Sequence, residues 1–292
     1  MPDVHLLDGT YELFRHFFGA PARTAPDGRD VGATAGVLRS VLGLIAGEHV
    51  THLGAATDHV IESFRNDLYP GYKTGAGIEP ALLGQFQLVE DGLRAAGVLV
   101  WAMVDHEADD ALATAAARAD ADPRVGRVFI LSPDKDLAQC VRGERVVTVD
   151  RLRNKTRDEA GVRAKFGVPP AAIADWLALV GDSADGYPGI PGFGAKTAAA
   201  VLARFGSIDA IPADPRAWGD LRGAKGLAAA LGERRAEAAL YRRLATLVSD
   251  APIPCALEDL EWKGVPRAAF TAFCQENGLG DLLSRVPRWA GA

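Results

Sequence analysis

At 292 residues, with 48% hydrophobic and 24% charged residues, the chain suits one large or two modest globular domains that fold without covalent staples. Its three cysteines, Cys140, Cys255 and Cys274, form no CxxC pair, which speaks against a disulfide framework and a zinc site and fits a reducing cytoplasm. The formal net charge of −6 argues against a nucleic-acid partner only if the acids are scattered. Nine of them are clustered, and without those nine the balance of charge is positive. The opening MPDVHLLDG lacks the regions of a signal peptide, and no apolar run reaches the roughly 18 to 20 residues of a membrane span. A soluble intracellular protein is expected.

In chain order, apolar or β-branched runs at 4–7, 53–57, 98–101, 127–131 and 145–149 read as strands. Helical patterns at 31–48, 79–96 and 107–119 alternate with them; Glu79-Pro80 and Asp105 mark starts, and Gly97 marks a stop. This alternation predicts a mostly parallel sheet flanked by helices on both faces. Past Val168-Pro169-Pro170 the strand pattern ends. Helical segments at 171–180, 197–205, 233–248 and 266–277 follow, separated by Gly and Pro. The expected organisation is an α/β domain over 1–168 and an all-helical domain over 169–292.

The nine acids lie in five groups, each near the end of an apolar run: Asp8; Asp58; Glu107, Asp109 and Asp110; Asp134 and Asp136; Asp182 and Asp185. In α/β folds the carboxyl ends of strands converge on one crevice. Gathered carboxylates raise one another's pKa unless cations neutralise them, and hard divalent ions such as Mg²⁺ or Mn²⁺ are the natural counterparts. The pattern reads as a two-metal phosphoryl-transfer site. Each group also has a plainer reading. Asp8 and Asp58 suit helix N-caps, HEADD suits the start of a helix with Glu107 and Asp110 on one face, and SPDKD suits a capped helix start. The i,i+3 spacing of Asp182 and Asp185 places both on one helical face.

Two further segments carry chemistry. Gly189, Gly192 and Gly194 lead into Lys196 and Thr197 at a helix start, where backbone N–H groups can hold a phosphate; the spacing of a Walker loop is not met. In SFRNDLYPGYKTG, Arg65, Tyr72 and Lys73 suit gripping a phosphate and stacking a base, or form a solvated loop. Tyr11, Phe14 and Arg15 follow Asp8 along a helix. No H-E-x-x-H spacing and no Ser–His–Asp arrangement is present.

Taken in order from LLDGTYELFR to LEDLEWKG, these motifs resemble the 5′-nuclease or flap-endonuclease family, of the bacterial type fused to DNA polymerase I or standing alone. The resemblance implies a PIN-like nuclease domain with a helical arch over about 65–90, then a helix–three-turn–helix motif over about 175–206. It implies that Asp8, Asp58, Glu107, Asp109 and Asp110 surround one divalent metal (Mg²⁺ or Mn²⁺) and that Asp134, Asp136, Asp182 and Asp185 surround a second. Arg65 and Lys73 would hold the scissile phosphodiester, with Tyr72 stacking and Arg15 contacting DNA. Gly189, Gly192, Gly194, Lys196 and Thr197 would grip the duplex, with K⁺ at that loop. Three positions depart from the family pattern: Ala76 where a basic residue is common, ATD before Asp58 where an aromatic is usual, and Gly186 where asparagine is frequent.

The expectation is a stand-alone, monomeric 5′-3′ exonuclease and flap endonuclease of replication or repair, nucleoid-associated in the cytoplasm. It would act on DNA with 5′ flaps, nicks or 5′ ends, alongside a separate polymerase and ligase. A PIN-type ribonuclease and a non-catalytic DNA-structure-binding protein are the alternatives.

Overall fold

The computed structural model describes residues 1–19 and 21–291. Its α/β part runs β1 (Val4–Asp8), α1 (Gly9–Gly19), α2 (Gly32–Glu48), β2 (His52–Asp58), α3 (Phe64–Leu68), α4 (Pro80–Leu83), α5 (Phe86–Ala95), β3 (Leu99–Met103), α6 (Ala108–Ala121), β4 (Val128–Leu131), β5 (Val146–Asp150), β6 (Lys155–Arg157) and α7 (Glu159–Phe166). The strand order is β3-β2-β1-β4-β5-β6, with β1 to β5 parallel and β6 antiparallel to β5. All five expected strands form. The sixth, KTR, is short and polar and carries no strand pattern.

Alternation along the strands divides two cores between the faces of the sheet. Leu7, Leu53, Ala55 and Leu131 pack with α2 and α5 on one face, while Val4, Leu6, Ala56, Ile130 and Val146 pack with α6 on the other. The helix expected over 79–96 is two helices. Gly84 and Gln85 separate them, and the buried Gln85 side chain is turned inward to accept from Thr34 N (3.0 Å) and Thr34 Oγ1 (3.2 Å).

The helical part comprises α8 (Ile173–Val180), α9 (Ala195–Phe205), α10 (Ala224–Glu233) and α11 (Arg235–Ala245). Trp176, Leu177, Val201, Leu202, Trp218, Leu231 and Leu244 pack in a core that Tyr72, Ala138, Val141, Val162 and Phe166 of the α/β part also enter. The segment expected at 233–248 is therefore the end of one helix and the whole of another, with a break at Arg234.

Beyond α11 the chain leaves this core and returns to the α/β unit, so the helical domain is smaller than the 169–292 span read from the sequence. Ala251, Ile253 and Cys255 join the α6 face, and α12 (Leu257–Leu260) follows. Trp262 donates its backbone N–H to Thr51 O (2.8 Å) and its Nε1 to Ala96 O (3.0 Å). Helix α13 (Arg267–Glu276) then lays Phe270, Phe273 and Cys274 against α2 and α5. Amphipathic spacing announces a buried helix face but not which core buries it.

Phe270 is fully buried in that returning helix. Phe270→Ala is expected to cost about 3–5 kcal/mol in urea unfolding. A loss under about 1 kcal/mol, within the scatter of ordinary surface substitutions, would show that α13 is not part of the α/β core.

Candidate metal centre

Asp8 ends β1 and Asp58 ends the neighbouring β2, at the same edge of a parallel sheet. Asp8 takes the capping role read for it and also reaches across to β4. Its Oδ1 accepts from Tyr11 N (2.8 Å) at the start of α1, and its Oδ2 accepts from Ser132 Oγ (2.8 Å) beyond β4. Asp58 Oδ1 accepts from Ala108 N (2.7 Å), while its own N–H donates to Thr10 Oγ1 (2.8 Å). Glu107 is the N-cap of α6, which brings Asp109 to the same place. After β4, Asp134 N donates to Ser132 Oγ (3.1 Å) and Asp136 N to Asp134 Oδ1 (2.8 Å), a tight turn that aims both acids back over the sheet edge. Asp8, Asp58, Glu107, Asp109, Asp134 and Asp185 line one cavity of about 330 Å³ with Lys73, Tyr11 and Phe14.

The last two acids reach the site differently from the helical face expected of them. Helix α8 stops at Val180, Gly181 takes φ +85°, and Asp182 and Asp185 lie in the loop that follows. Paired hydrogen bonds between Asp182 and Tyr187 (2.8 and 3.0 Å) close that loop. Its curvature turns both carboxylates toward Asp136, and one oxygen from each of Asp136, Asp182 and Asp185 lies within 4.8 Å of the others. Asp136 Oδ1 is buried with no hydrogen-bond partner. An orphaned carboxylate oxygen beside two more carboxylates is the donor set of a hard divalent cation.

Burial first, then the neighbouring Asp134 and Asp58, pushes Asp8 up to about 7 against the opposing hydrogen bonds from Tyr11 and Ser132. Burial and Asp134 likewise raise Asp109 and Asp136 well above the usual carboxylate range. Two lysines offset part of this charge. Lys73 Nζ lies 2.6 Å from Glu107 Oε2 and 3.3 Å from Asp185 Oδ1, and Lys135 Nζ lies 2.5 Å from Asp182 Oδ2. Burial opposes the charge on Lys73, but Glu107 and Asp185 overcome it and hold the ammonium above its ordinary value. The loop carrying Lys73 is seated directly on the Asp182–Asp185 loop: Lys73 N donates to Asp185 O (3.0 Å). Gly186 has φ +87°, and a Cβ there would lie 2.1 Å from Gly71 O, so only glycine fits this approach.

Several expected roles are not met by this geometry. Arg65 is 1% exposed and has no donor directed at the cavity. Its Nη1 donates to Asp110 Oδ2 (2.7 Å) and Glu107 Oε1 (3.0 Å), its Nη2 to Asp110 Oδ1 (2.8 Å) and Thr246 O (3.1 Å), and its Nε to Leu244 O (2.8 Å). Asp110 is correspondingly spent on Arg65, Glu107 N (3.0 Å) and Val248 N (2.9 Å), and is not among the residues lining the cavity. Tyr72 is buried, its hydroxyl donating to Glu107 Oε2 (3.3 Å), so its ring offers no face to a base. Gly189 is buried too, packed on Leu179 to Gly181. Gly192, Gly194 and Lys196 are exposed at the start of α9 and Thr197 is half-buried. Arg15 leans on Glu12 in α1 and is partly exposed. Lys135 and Ser132 were not singled out as site residues in the sequence; the acids bracketing Lys135 in DKD were the signal for it.

Comparison with known proteins bears on both parts of the chain. The family model described as "5′-3′ exonuclease, N-terminal resolvase-like domain" matches residues 3–167, and that described as "5′-3′ exonuclease, C-terminal SAM fold" matches residues 168–268. A 5′-3′ exonuclease of Mycobacterium tuberculosis is 36% identical over 275 residues, covering 85% of this chain and 84% of that protein. The DNA polymerase I of Bacillus caldotenax is 32% identical over 287 residues, which is 96% of this chain but 32% of that polymerase. The chain thus spans about a third of the length of such polymerase relatives. Among solved structures, the bacteriophage T5 flap endonuclease in a pseudo-enzyme-product complex with DNA and metal ions aligns with a TM-score of 0.69 at 16% identity, covering 85% of this chain and 90% of that one. The catalytic core of Rad2 in complex with DNA substrate aligns at 0.61 and 12%, covering 96% and 88%. These likenesses show a shared fold.

Two predictions follow from the charges. Arg65→Met leaves Asp110 buried without its partner and is expected to cost about 3–5 kcal/mol, most of which Arg65→Met combined with Asp110→Leu regains. Full stability of Arg65→Met in urea would return Arg65 to a phosphate-holding role. The second concerns pH. Asp8, Asp109 and Asp136 bind protons more tightly folded than unfolded, so their contribution to stability is full below 3.8 and lost as pH rises through about 7 for Asp8. With chelator present, the melting temperature is expected to fall from pH 5 to pH 8, less steeply in Asp8→Asn, and Mg²⁺ at pH 8 should restore it. A melting temperature that is flat with pH in both proteins would overturn this.

Proposed function

Because the chain belongs to the 5′-3′ exonuclease family, we propose that it hydrolyses DNA phosphodiesters at 5′ ends, nicks and 5′ flaps. The observation that carries this is the carboxylate cavity at the sheet edge together with the close trio Asp136, Asp182 and Asp185, in which Asp136 keeps a buried oxygen without a hydrogen-bond partner. Asp8, Asp58, Glu107, Asp109 and Asp134 would hold one divalent ion, and Asp136, Asp182 and Asp185 a second, directly or through water. Bound there, Mg²⁺ or Mn²⁺ supplies a water activated for attack and charge to stabilise the leaving oxygen.

The protein's own groups do the rest. Lys73 keeps part of its side chain exposed at the cavity while Glu107 and Asp185 fix its ammonium, which suits it to hold a nonbridging oxygen of the scissile phosphate. The exposed turn at Gly192 and Gly194, with Lys196 and Thr197 opening α9, presents N–H groups and a cation to a duplex backbone; K⁺ is the ion proposed there. Arg15, on the helix leading away from Asp8, is proposed to contact the strand beyond the cavity. Recognition of this kind follows the shape of DNA rather than its bases. The enzyme would act as a monomer in replication or repair, its gaps filled and sealed by a separate polymerase and ligase. No helix among the described residues is long and apolar enough to cross a membrane.

Asp134 is exposed, so Asp134→Asn is expected to leave the urea transition within about 0.5 kcal/mol of wild type. Its cleavage of end-labelled 5′-flap DNA in Mg²⁺ should fall by about a hundredfold or more, the effect of losing several kcal/mol of charge stabilisation. Unimpaired cutting would remove Asp134 from the metal centre. Lys73→Ala should slow single-turnover cleavage more than it weakens flap binding in chelator; the opposite pattern would place Lys73 in the duplex grip alone.

A further inference from the structure

On the edge strand β6 lies a buried cation with no acidic partner among the described residues. Arg157, the last residue of β6, is 6% exposed. Its Nε is buried without a partner, and its only side-chain hydrogen bond among the described residues is a long one, Nη1 to Thr148 Oγ1 at 3.4 Å. The acids nearest in sequence are already taken. Asp150 is paired with Arg153 (2.9 Å), Glu159 with Arg163 (2.9 Å), and Asp158 caps Gly161 N (2.7 Å).

The surroundings add positive charge. Lys155, two residues earlier on β6, shares the Arg157 face of the strand and is exposed. Lys165 is exposed on α7, and burial together with Arg157, Lys135 and Lys155 holds its ammonium below the ordinary value; Asp134 is the neighbour that opposes them. Lys135 is committed to Asp182. The fold makes room for the arginine: a Cβ on Gly161 in α7 would come within 2.8 Å of Arg157 Cγ. A largely buried guanidinium with an unpartnered Nε and no acidic partner is unfavourable on its own, so an anion arriving from outside is its natural partner.

We propose that Arg157, with Lys155 and Lys165 at its rim, forms a phosphate site that takes a phosphodiester of the bound DNA strand on the Asp134 side of the metal cavity. The DNA part rests on the nuclease reading above. Arginine suits the task because its planar fork matches two phosphate oxygens, and the two lysines add charge without fixing geometry. The site would anchor the strand one or more nucleotides from the cut and set how it crosses the carboxylates.

The test uses full-length Arg157→Met and Lys165→Ala. In chelator, both should bind a 5′-flap duplex several-fold more weakly by fluorescence anisotropy, with the slope of log affinity against log salt reduced by about 1. A set of flaps each carrying one neutral methylphosphonate should contain one position that weakens wild type but not Arg157→Met. Inorganic phosphate should raise the melting temperature of wild type and not of Arg157→Met, whose own melting temperature should equal or exceed wild type. Wild-type DNA affinity and salt slope in both variants would overturn the proposal, as would a lowered melting temperature in Arg157→Met with DNA affinity unchanged. If Arg157→Met does not fold, Lys165→Ala decides by the same measurements. Failure of wild type to bind or cut flap DNA would sink the nuclease reading instead, and the phosphate-induced shift would still report on the site.

Discussion

The Arg65 guanidinium is the hinge pin of this molecule. It is buried where an isolated charge would cost many kcal/mol, and it is tolerable because its donors meet Asp110, Glu107 and the carbonyls of Leu244 and Thr246. Those partners belong to two separate stretches, the start of α6 and the end of α11 with the residue that follows it, while Arg65 itself stands on α3 after β2. Asp110 extends the link by accepting from Val248 N, and Gln139 adds another, donating to Ala245 O at 2.8 Å. The helical unit is thereby fastened to the sheet immediately behind the carboxylates, and Glu107, which touches both Arg65 and Lys73, carries that fastening into the cavity.

With this anchor in place, the electrostatic problem at the sheet edge becomes one of distribution. Asp182 and Asp185 come from the helical unit and Asp136 from the sheet, so their mutual repulsion acts across the join between the two. Lys135 and Lys73 each cross that join in the opposite direction, from the α/β part to the helical loop. The approach of Gly186 to the Gly71 carbonyl is possible because Gly186 has no side chain, and it brings the two loops together more tightly than any larger residue there permits. A site assembled from both units can respond to what either unit holds.

Much of this was legible in the sequence, for a physical reason. Parallel strands buried on both faces are nearly continuous apolar runs, and acids at their carboxyl ends have nowhere to point but the same edge. The five acid groups and Lys73 come together at that edge. What composition and spacing do not encode is direction. HEADD offers three acids in one turn, yet Asp110 faces backward because the N-terminus of α6 and Arg65 both claim it. The i,i+3 pair Asp182 and Asp185 looks helical, but Gly181 ends the helix first. Arg65 and Tyr72 sit among loop-like residues and are among the more deeply buried polar groups in the molecule, since partners far away in sequence draw them inward. For the same reason KTR became a strand and 257–276 joined a distant core: pairing and packing partners lie outside any local window.

That returning tail has a consequence for synthesis. The face of the sheet built by β1, β2 and α2 needs Trp262, Phe270 and Phe273 to cover it, and these residues leave the ribosome roughly two hundred positions later at about 5–20 residues per second. For some tens of seconds a nascent chain would expose an apolar surface with its strands already able to form. Closure of that long loop, rather than formation of the parallel sheet, is then the step at which this apolar face leaves water.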